Sequence, residues 1–428
     1  MRCFTLLRIA PVLLAMACVQ DVATFDPHPD PAEGIDLDDA DTQQATATHI
    51  DLGNGKYLHA LHAGPGDTRI RGKLVRLIDN AARGSSIHIS FFRLGPTVYQ
   101  ALVAALERGV HVSAVFDGQA YGETDRMQRL ASKIVAHGDR ATVCRQSQAN
   151  HSCTFDGAGA SAKMHAKLAL FSNTSFEGSG RMQASFIASA NFNDHGSGTE
   201  MFNNALVFYE PVGSGAGDPG SLHHKARLYF EDMLNQARTT DYYEDVANAR
   251  GHAVDFSLGT QIFMGPDANG TPVLDSYLSQ IDGLGAADGT CRVLVNQGIL
   301  QAATGIPDRL IQLRQSGCWV YVLLDDTPDN PQGPGTVIDR LVDAGIPVVL
   351  NARNHNKSII AYARVIPFDA YATLVWTGSR QGTMGALREN DEVSTLTGGN
   401  VPLFNSFYEA FLAPWYEGRA CDADGYCR

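Results

Sequence analysis

Apolar and polar positions divide the chain into two runs of elements that follow the same order. In the first run, Thr68 to Ala82 sets Ile70, Leu74, Leu77 and Ile78 at helical spacing. Ser86 to Phe92 alternates as a strand does. Val98 to Arg108 is amphipathic and is stopped by Gly109, and Val110 to Phe116 is a strand that ends in Asp117-Gly118. The pattern predicts further strands at His165 to Phe171, Ala184 to Ala190 and Asn204 to Tyr209, then a helix from Leu222 to Ala237. The second run predicts helices at Thr271 to Ile281 and Pro307 to Arg314, and strands at Cys291 to Val295, Trp319 to Leu324 and Pro347 to Leu350. Strands at Lys357 to Ala363, Ala372 to Thr377 and Glu392 to Leu396 precede a closing helix, Val401 to Leu412. Leu310 to Asp326 repeats Ala101 to Gly118 in kind: helix, glycine, strand, acidic turn. Strand, helix, strand with short connections predicts α/β layers. The repeat predicts two related halves, 51–245 and 246–428, joined between about Thr239 and Phe256.

The first 50 residues stand outside this pattern. Arg2 and Arg8 flank an apolar run, Ile9 to Ala17, too short for a permanent membrane span, so residues 1–17 read as an export signal. The small residues before Cys18 are similar to a lipoprotein cleavage box, which makes Cys18 the lipidation site and the cell envelope the expected location, with simple secretion as the alternative. Residues 18–50 carry eight acidic side chains with no Lys or Arg and few large apolar residues, a composition that suits a disordered tether. Six further cysteines agree with export and form three local pairs: Cys144–Cys153, Cys291–Cys318 and Cys421–Cys427. No Cys-x-x-Cys spacing for zinc occurs. The net charge of -13 disfavours broad nucleic-acid binding.

The candidate chemistry lies in a repeated motif. His165-x-Lys167 is followed by Ser189-Ala190-Asn191, and His355-x-Lys357 by Gly378-Ser379-Arg380-Gln381. From His165 to Asn191 is 26 positions, as it is from His355 to Gln381. With 14 His and 7 Lys, chance gives roughly 0.2 His-x-Lys pairs in such a chain, so two, each with its polar cluster, form a pattern. On a strand, His and Lys two apart share a face. Two imidazoles, two fixed cations and amide or hydroxyl donors suit phosphodiester cleavage, with one imidazole as nucleophile and the other as general acid. That scheme requires no metal or other cofactor, and the motif stretches hold no carboxylate-rich cage.

These residues resemble the phospholipase D superfamily, whose repeated motif is His-x-Lys, four residues, Asp, then Gly-Ser-x-Asn. The resemblance spans about Asp51 to Tyr416. It implies a pseudo-twofold pair of α/β/α sandwiches, a site in the cleft between them, and hydrolysis or head-group transfer through phosphohistidine. This sequence departs from the motif at the Asp positions, which hold Ser172 and Tyr362, and at Ala188 and Gln381. The resemblance assigns His165 as nucleophile and His355 as general acid, with the reverse order open. Lys167, Lys357 and Asn191 complete the catalytic set, and Ser189, Ser379 and Gln381 face the substrate. Glu392 stands where the family's histidine-orienting carboxylate is expected. The similar first-half run, Asn203-Asn204-Ala205, lacks a carboxylate, and Glu200 lies near enough to replace it. The expected partners are a phospholipid and, through the anchor, a membrane surface. A monomer suffices because one chain carries both motifs. A nuclease of the same superfamily and a degenerate surface-binding protein are the alternatives.

Overall fold

The computed structural model describes residues 48–157, 162–176, 180–215, 221–243, 259–268, 273–283, 291–366 and 370–428. Cys18, the export signal, nearly all of the tether and the junction at 245/246 lie outside the described residues. The first half contains β1 (Thr48–Gly53), β2 (Lys56–Ala63), α1 (Arg69–Asp79), β3 (Ser86–Phe91), α2 (Pro96–Glu107) and β4 (His111–Asp117). It continues with α3 (Gly118–Glu123), α4 (Asp125–Ala136), β5 (Ala141–Cys144), β6 (Leu168–Phe176), β7 (Gly180–Ala188), β8 (Asn203–Pro211) and α5 (Leu222–Asn235). The second half contains β9 (Thr260–Met264), α6 (Val273–Leu278), β10 (Ile281–Asp282), β11 (Arg292–Gln297), α7 (Ile306–Gln315), β12 (Trp319–Leu324) and α8 (Val337–Asp343). It ends with β13 (Val348–Leu350), β14 (Lys357–Val365), β15 (Ala370–Gly378), α9 (Met384–Arg388), β16 (Val393–Gly398), α10 (Val401–Glu417) and β17 (Arg419–Ala420).

The two sheets repeat one topology. The first runs β1-β2-β8-β7-β6-β3-β4-β5, and the second, read from its far edge, β9-β16-β15-β14-β11-β12-β13-β17. Seven consecutive strands, β2 to β5 in the first order and β9 to β13 in the second, therefore correspond. In each sheet the βαβ crossovers make parallel pairs, β3 with β4 and β11 with β12, and the hairpins make antiparallel ones. One core packs α1, α2 and α4 against the outer face of the first sheet, and another packs α6, α7 and α8 on the second. A central core joins the halves: Leu222, Ala226, Phe230 and Met233 of α5, and Leu403, Phe404, Phe407 and Phe411 of α10, share it with residues of both sheets. The layers are thus helix, sheet, helix, sheet, helix. Among the described residues no helix is long and apolar enough to cross a membrane.

Three expectations need correction. The fold begins inside the expected tether, because Thr48 to Ile50 already pair with Leu58 to Ala60. The hairpin turn is Asn54-Gly55, both at positive φ (53° and 70°), the backbone that a tight two-residue turn requires. Second, Thr271 to Ile281 is not one helix. Residues 271–272 are not described, α6 ends at Leu278, and Ile281 pairs with Val365 as a strand. Third, β6 starts at Leu168, so His165 and Lys167 precede the strand. His165 N–H donates to Asp391 O of the other half at 3.0 Å, drawing this stretch out of the sheet. The three cysteine pairs are disulfide-bonded as expected.

Candidate active site

The sheets meet where each half delivers its His-x-Lys stretch. His165 N–H donates to Asp391 O, and His355 N–H donates to Phe202 O, both at 3.0 Å. Each histidine is therefore hung on the backbone of the opposite half. This equivalence sets the true alignment of the two polar runs: Phe202 matches Asp391, so Asn203 matches Glu392. The earlier alignment with Ala205 was two positions off. Spacing carried the signal, since Asn203 comes 38 positions after His165 and Glu392 comes 37 after His355.

The side chains follow the same crossing. His165 Nδ1–H donates to Glu392 Oε1 at 2.8 Å. His355 Nδ1–H donates to Asn203 Oδ1 at 2.9 Å. The Asn203 amide is fixed in that sense, because its Nδ2 donates to Ser197 O and Met201 O at 3.2 and 3.1 Å. Glu200 is not the substitute carboxylate. It is exposed, bound to His195 and the Gly196 N–H.

Ser189 and Ser379 are fully buried, and the hydroxyl of each is engaged by protein groups. Ser379 Oγ donates to Glu392 and accepts from Val393 N–H at 3.0 Å. Ser189 Oγ donates to Asn203 Oδ1 at 3.1 Å and accepts from Asn204 N–H at 2.9 Å. Each serine thus holds the acceptor that holds the other half's histidine. Asn191 is buried with its Nδ2 committed to Ser197 Oγ at 2.6 Å. Gln381 is half-buried beside Gly298 at the end of β11. Ser172, at the position of the motif's Asp, accepts the Ser86 N–H at 2.8 Å.

Both lysines are buried. Lys167 Nζ donates to His165 O and Lys357 Nζ to His355 O, each at 2.8 Å, and Lys357 Nζ lies 3.3 Å from both ring nitrogens of His355. Burial pushes Lys167 down to about 7, with Glu392 and Asp117 resisting. Burial and the charge of Lys167 hold Lys357 well below the usual range. Burial takes His165 down to about 4, against the pull of Glu392. His355 falls well below an ordinary imidazole through burial, then Lys357, Lys167 and His165, with no carboxylate to oppose them. Burial would raise Glu392, but the charge and hydrogen bond of His165, then Lys167 and Ser379, outweigh it and hold the carboxyl below its usual range. Four cation-forming groups thus crowd around Glu392, with Asp117 and Asp325 acting on the lysines from outside the pair of imidazoles, an arrangement that favours an arriving anion.

Residues outside the motif complete the site. Phe92 packs edge-on to His165 at 5.0 Å, with Arg93, Lys163 and Lys167 over or beside its ring. Asp391 is fully buried and accepts from Ser152 Oγ at 2.8 Å and Thr154 N–H at 3.0 Å, fastening the loop closed by Cys144–Cys153. Asp117, read as a turn residue, is buried. It caps α3 through Gln119 and Ala120 N–H and accepts the Met164 N–H at 3.2 Å, one residue before His165. Asp325, its counterpart, is pushed up to about 7 by burial, against the charge of Lys357.

Residues 74–233 match the family model described as cardiolipin synthase, PLD-like domain. The structure is similar to phosphatidylserine synthase of Haemophilus influenzae Rd KW20, with TM-score 0.53 and 10% identity over 90% of this chain and 91% of that one. It is also similar to polyphosphate kinase of Porphyromonas gingivalis, with TM-score 0.50 and 13% identity over 84% of this chain and 50% of that one, so it spans half of the kinase. Nuc of Salmonella typhimurium, described as a phospholipase D family member, aligns with 42% of this chain and 95% of its own at 19% identity and TM-score 0.30. No curated protein matches the sequence. Residues 74–233 thus match a PLD-like domain, and the fold of both halves together is shared with the phosphatidylserine synthase structure.

Proposed function

We propose that the protein removes the head group of a phospholipid through a phosphohistidine on His165. The observation that supports this most is the crossed pair of imidazoles, each held through Nδ1 by an acceptor of the other half. An engaged Nδ1–H leaves the lone pair of a neutral imidazole on Nε2. His165, beside ionised Glu392, is the nucleophile: its Nε2 bonds to phosphorus as the bond from phosphorus to the head-group oxygen breaks. His355, protonated on both nitrogens once the phosphodiester anion is seated, gives its Nε2 proton to that oxygen. It then takes a proton from water, whose oxygen attacks phosphorus and frees His165. Lys167 and Lys357 donate to the non-bridging oxygens. An amide at Asn203 does not stabilise the imidazolium as a carboxylate does, so His355 releases its proton readily. That difference between the partners supports the order of roles.

The lipid substrate is supported by the description of the matching family model and by a net charge of -13, which repels a polyanion. Lipidation at Cys18 would hold the enzyme at a membrane surface, and mass spectrometry of the exported chain tests it. Phe92 among three cations is the feature that favours a nuclease, since a base can stack there. The deciding experiment incubates the purified protein with phosphatidylcholine vesicles or single-stranded DNA in EDTA, beside His165→Ala and His355→Ala. Choline release abolished by either substitution supports the proposal. Cleavage of DNA without lipid moves the substrate to nucleic acid. Silence on both, with no phosphohistidine trapped by rapid quench, leaves a binding protein.

A further inference from the structure

We propose that His111, His137 and Asp139 form a surface site for one divalent ion of the zinc class, independent of the cleft. The start of β4 and the turn after α4 bring them together. His111 is the first residue of β4, His137 follows the last turn of α4, and Asp139 lies just past Gly138, whose φ of +91° turns the chain back. A ring nitrogen from each histidine and a carboxylate oxygen of Asp139 lie within 4.8 Å of one another. His111 Nδ1 is 3.0 Å from Asp139 Oδ1, and His137 Nδ1 is 2.8 Å from Oδ2. The carboxylate is held in place by the Val112 N–H, 3.0 Å from Oδ2.

Zinc takes imidazole nitrogen and carboxylate oxygen at roughly 2.0–2.2 Å, which sets ligand atoms around a tetrahedral ion roughly 3.3 Å apart. The two His–Asp separations need to open by only a few tenths of an ångström, and the ligand atoms, all within 4.8 Å of one another, already stand close enough to converge on one ion. Two imidazoles and one carboxylate suit zinc, copper or nickel better than magnesium or calcium, which prefer oxygen shells. On binding, each neutral ring moves its proton from Nδ1 to Nε2 and gives its Nδ1 lone pair to the ion, so charge and proton count balance. His111 is mostly exposed, which leaves room for water in the remaining positions. Glu107 lines the same surface depression as His137 and offers a further carboxylate. Of the two arginines there, Arg108 donates to Ile78 O and the Arg83 side chain packs beside Gly109. A bound ion would tie the start of β4 to the end of α4.

The test is calorimetric titration of Zn²⁺ into tag-free, chelator-dialysed protein and into His111→Gln, His137→Gln and Asp139→Asn. One equivalent is expected, with affinity at least tenfold weaker in each variant and a higher Tm only where zinc binds. No stoichiometric uptake by the wild type, or unchanged affinity in all three variants, overturns the site and leaves a carboxylate bracing two histidines. If a variant fails to fold, ring ¹⁵N shifts of the wild type decide instead, with two histidines coordinating through Nδ1 at one equivalent. Phosphodiester cleavage in EDTA is a separate readout, so failure here does not touch the assignment of the cleft.

Discussion

The halves hold their histidines by the same route but with different chemistry. Around His165 the acceptor is a carboxylate, buried and steadied by Ser379. Around His355 the acceptor is an amide, Asn203, steadied by Ser189. Backbone, serine and lysine repeat, and one charge does not. A fold that repeats need not give equal groups equal work: in the proposed reaction the carboxylate favours the imidazole that would carry positive charge while bonded to phosphorus, and the amide the one that would give its proton away.

The largest effect should come from removing the charge. Glu392→Gln is expected to lower kcat by about 100-fold or more, because His165 loses the anion that balances its charge. The carboxylate raises His165, so its loss should also move the acid limb of kcat/KM below the wild-type position near pH 4, where protonation of His165 removes its lone pair. Stopped assays across pH 3–7 check both, and an unchanged rate would sink the role of Glu392.

Making the halves alike comes next. Asn203→Asp places an anion beside His355, which raises its pKa and should shift the alkaline limb upward by about one unit. If the limb stays fixed, Asn203 does not set the proton affinity of the acid. Smaller again is the effect of the bolt behind the pair. Asp391→Ala strips the acceptor from Ser152 and Thr154 and should cost about 1–3 kcal/mol, read from urea unfolding. The smallest change is Ser172→Ala. It leaves the Ser86 N–H without its acceptor, at about 1 kcal/mol, and activity should hold, since Ser172 props a strand rather than the cleft.

Local features were legible in the sequence. The strands around the His-x-Lys stretches and the cysteine pairs rest on contacts close in the chain or on periodicity, and the structure places them as read, although His165 and Lys167 precede β6 rather than lying on it. Asn54-Gly55 was equally legible and went unread, which set the start of the fold three residues late. Ser189 and Ser379 end or follow strands, and period-two alternation does not say that their hydroxyls would hold Asn203 and Glu392. The histidine partners were the hardest to see. Glu392 lies 227 positions from His165 and Asn203 lies 152 from His355, so both contacts depend on how the sheets dock. Only the near-equal spacing, 38 positions from His165 to Asn203 and 37 from His355 to Glu392, marks Asn203 in the sequence, and the opposite backbone then fixes the alignment.

The crossing also works as a catch during biogenesis. A first half that folds ahead of the second has His165 but no Glu392 to aim it, and the second half supplies His355 without Asn203. Neither piece carries an oriented imidazole, so a chain that is still emerging, clipped at the junction or wrongly docked lacks the crossed pair. Reactivity arrives only with complete folding, and recovered activity on mixing separately expressed halves would report their docking directly.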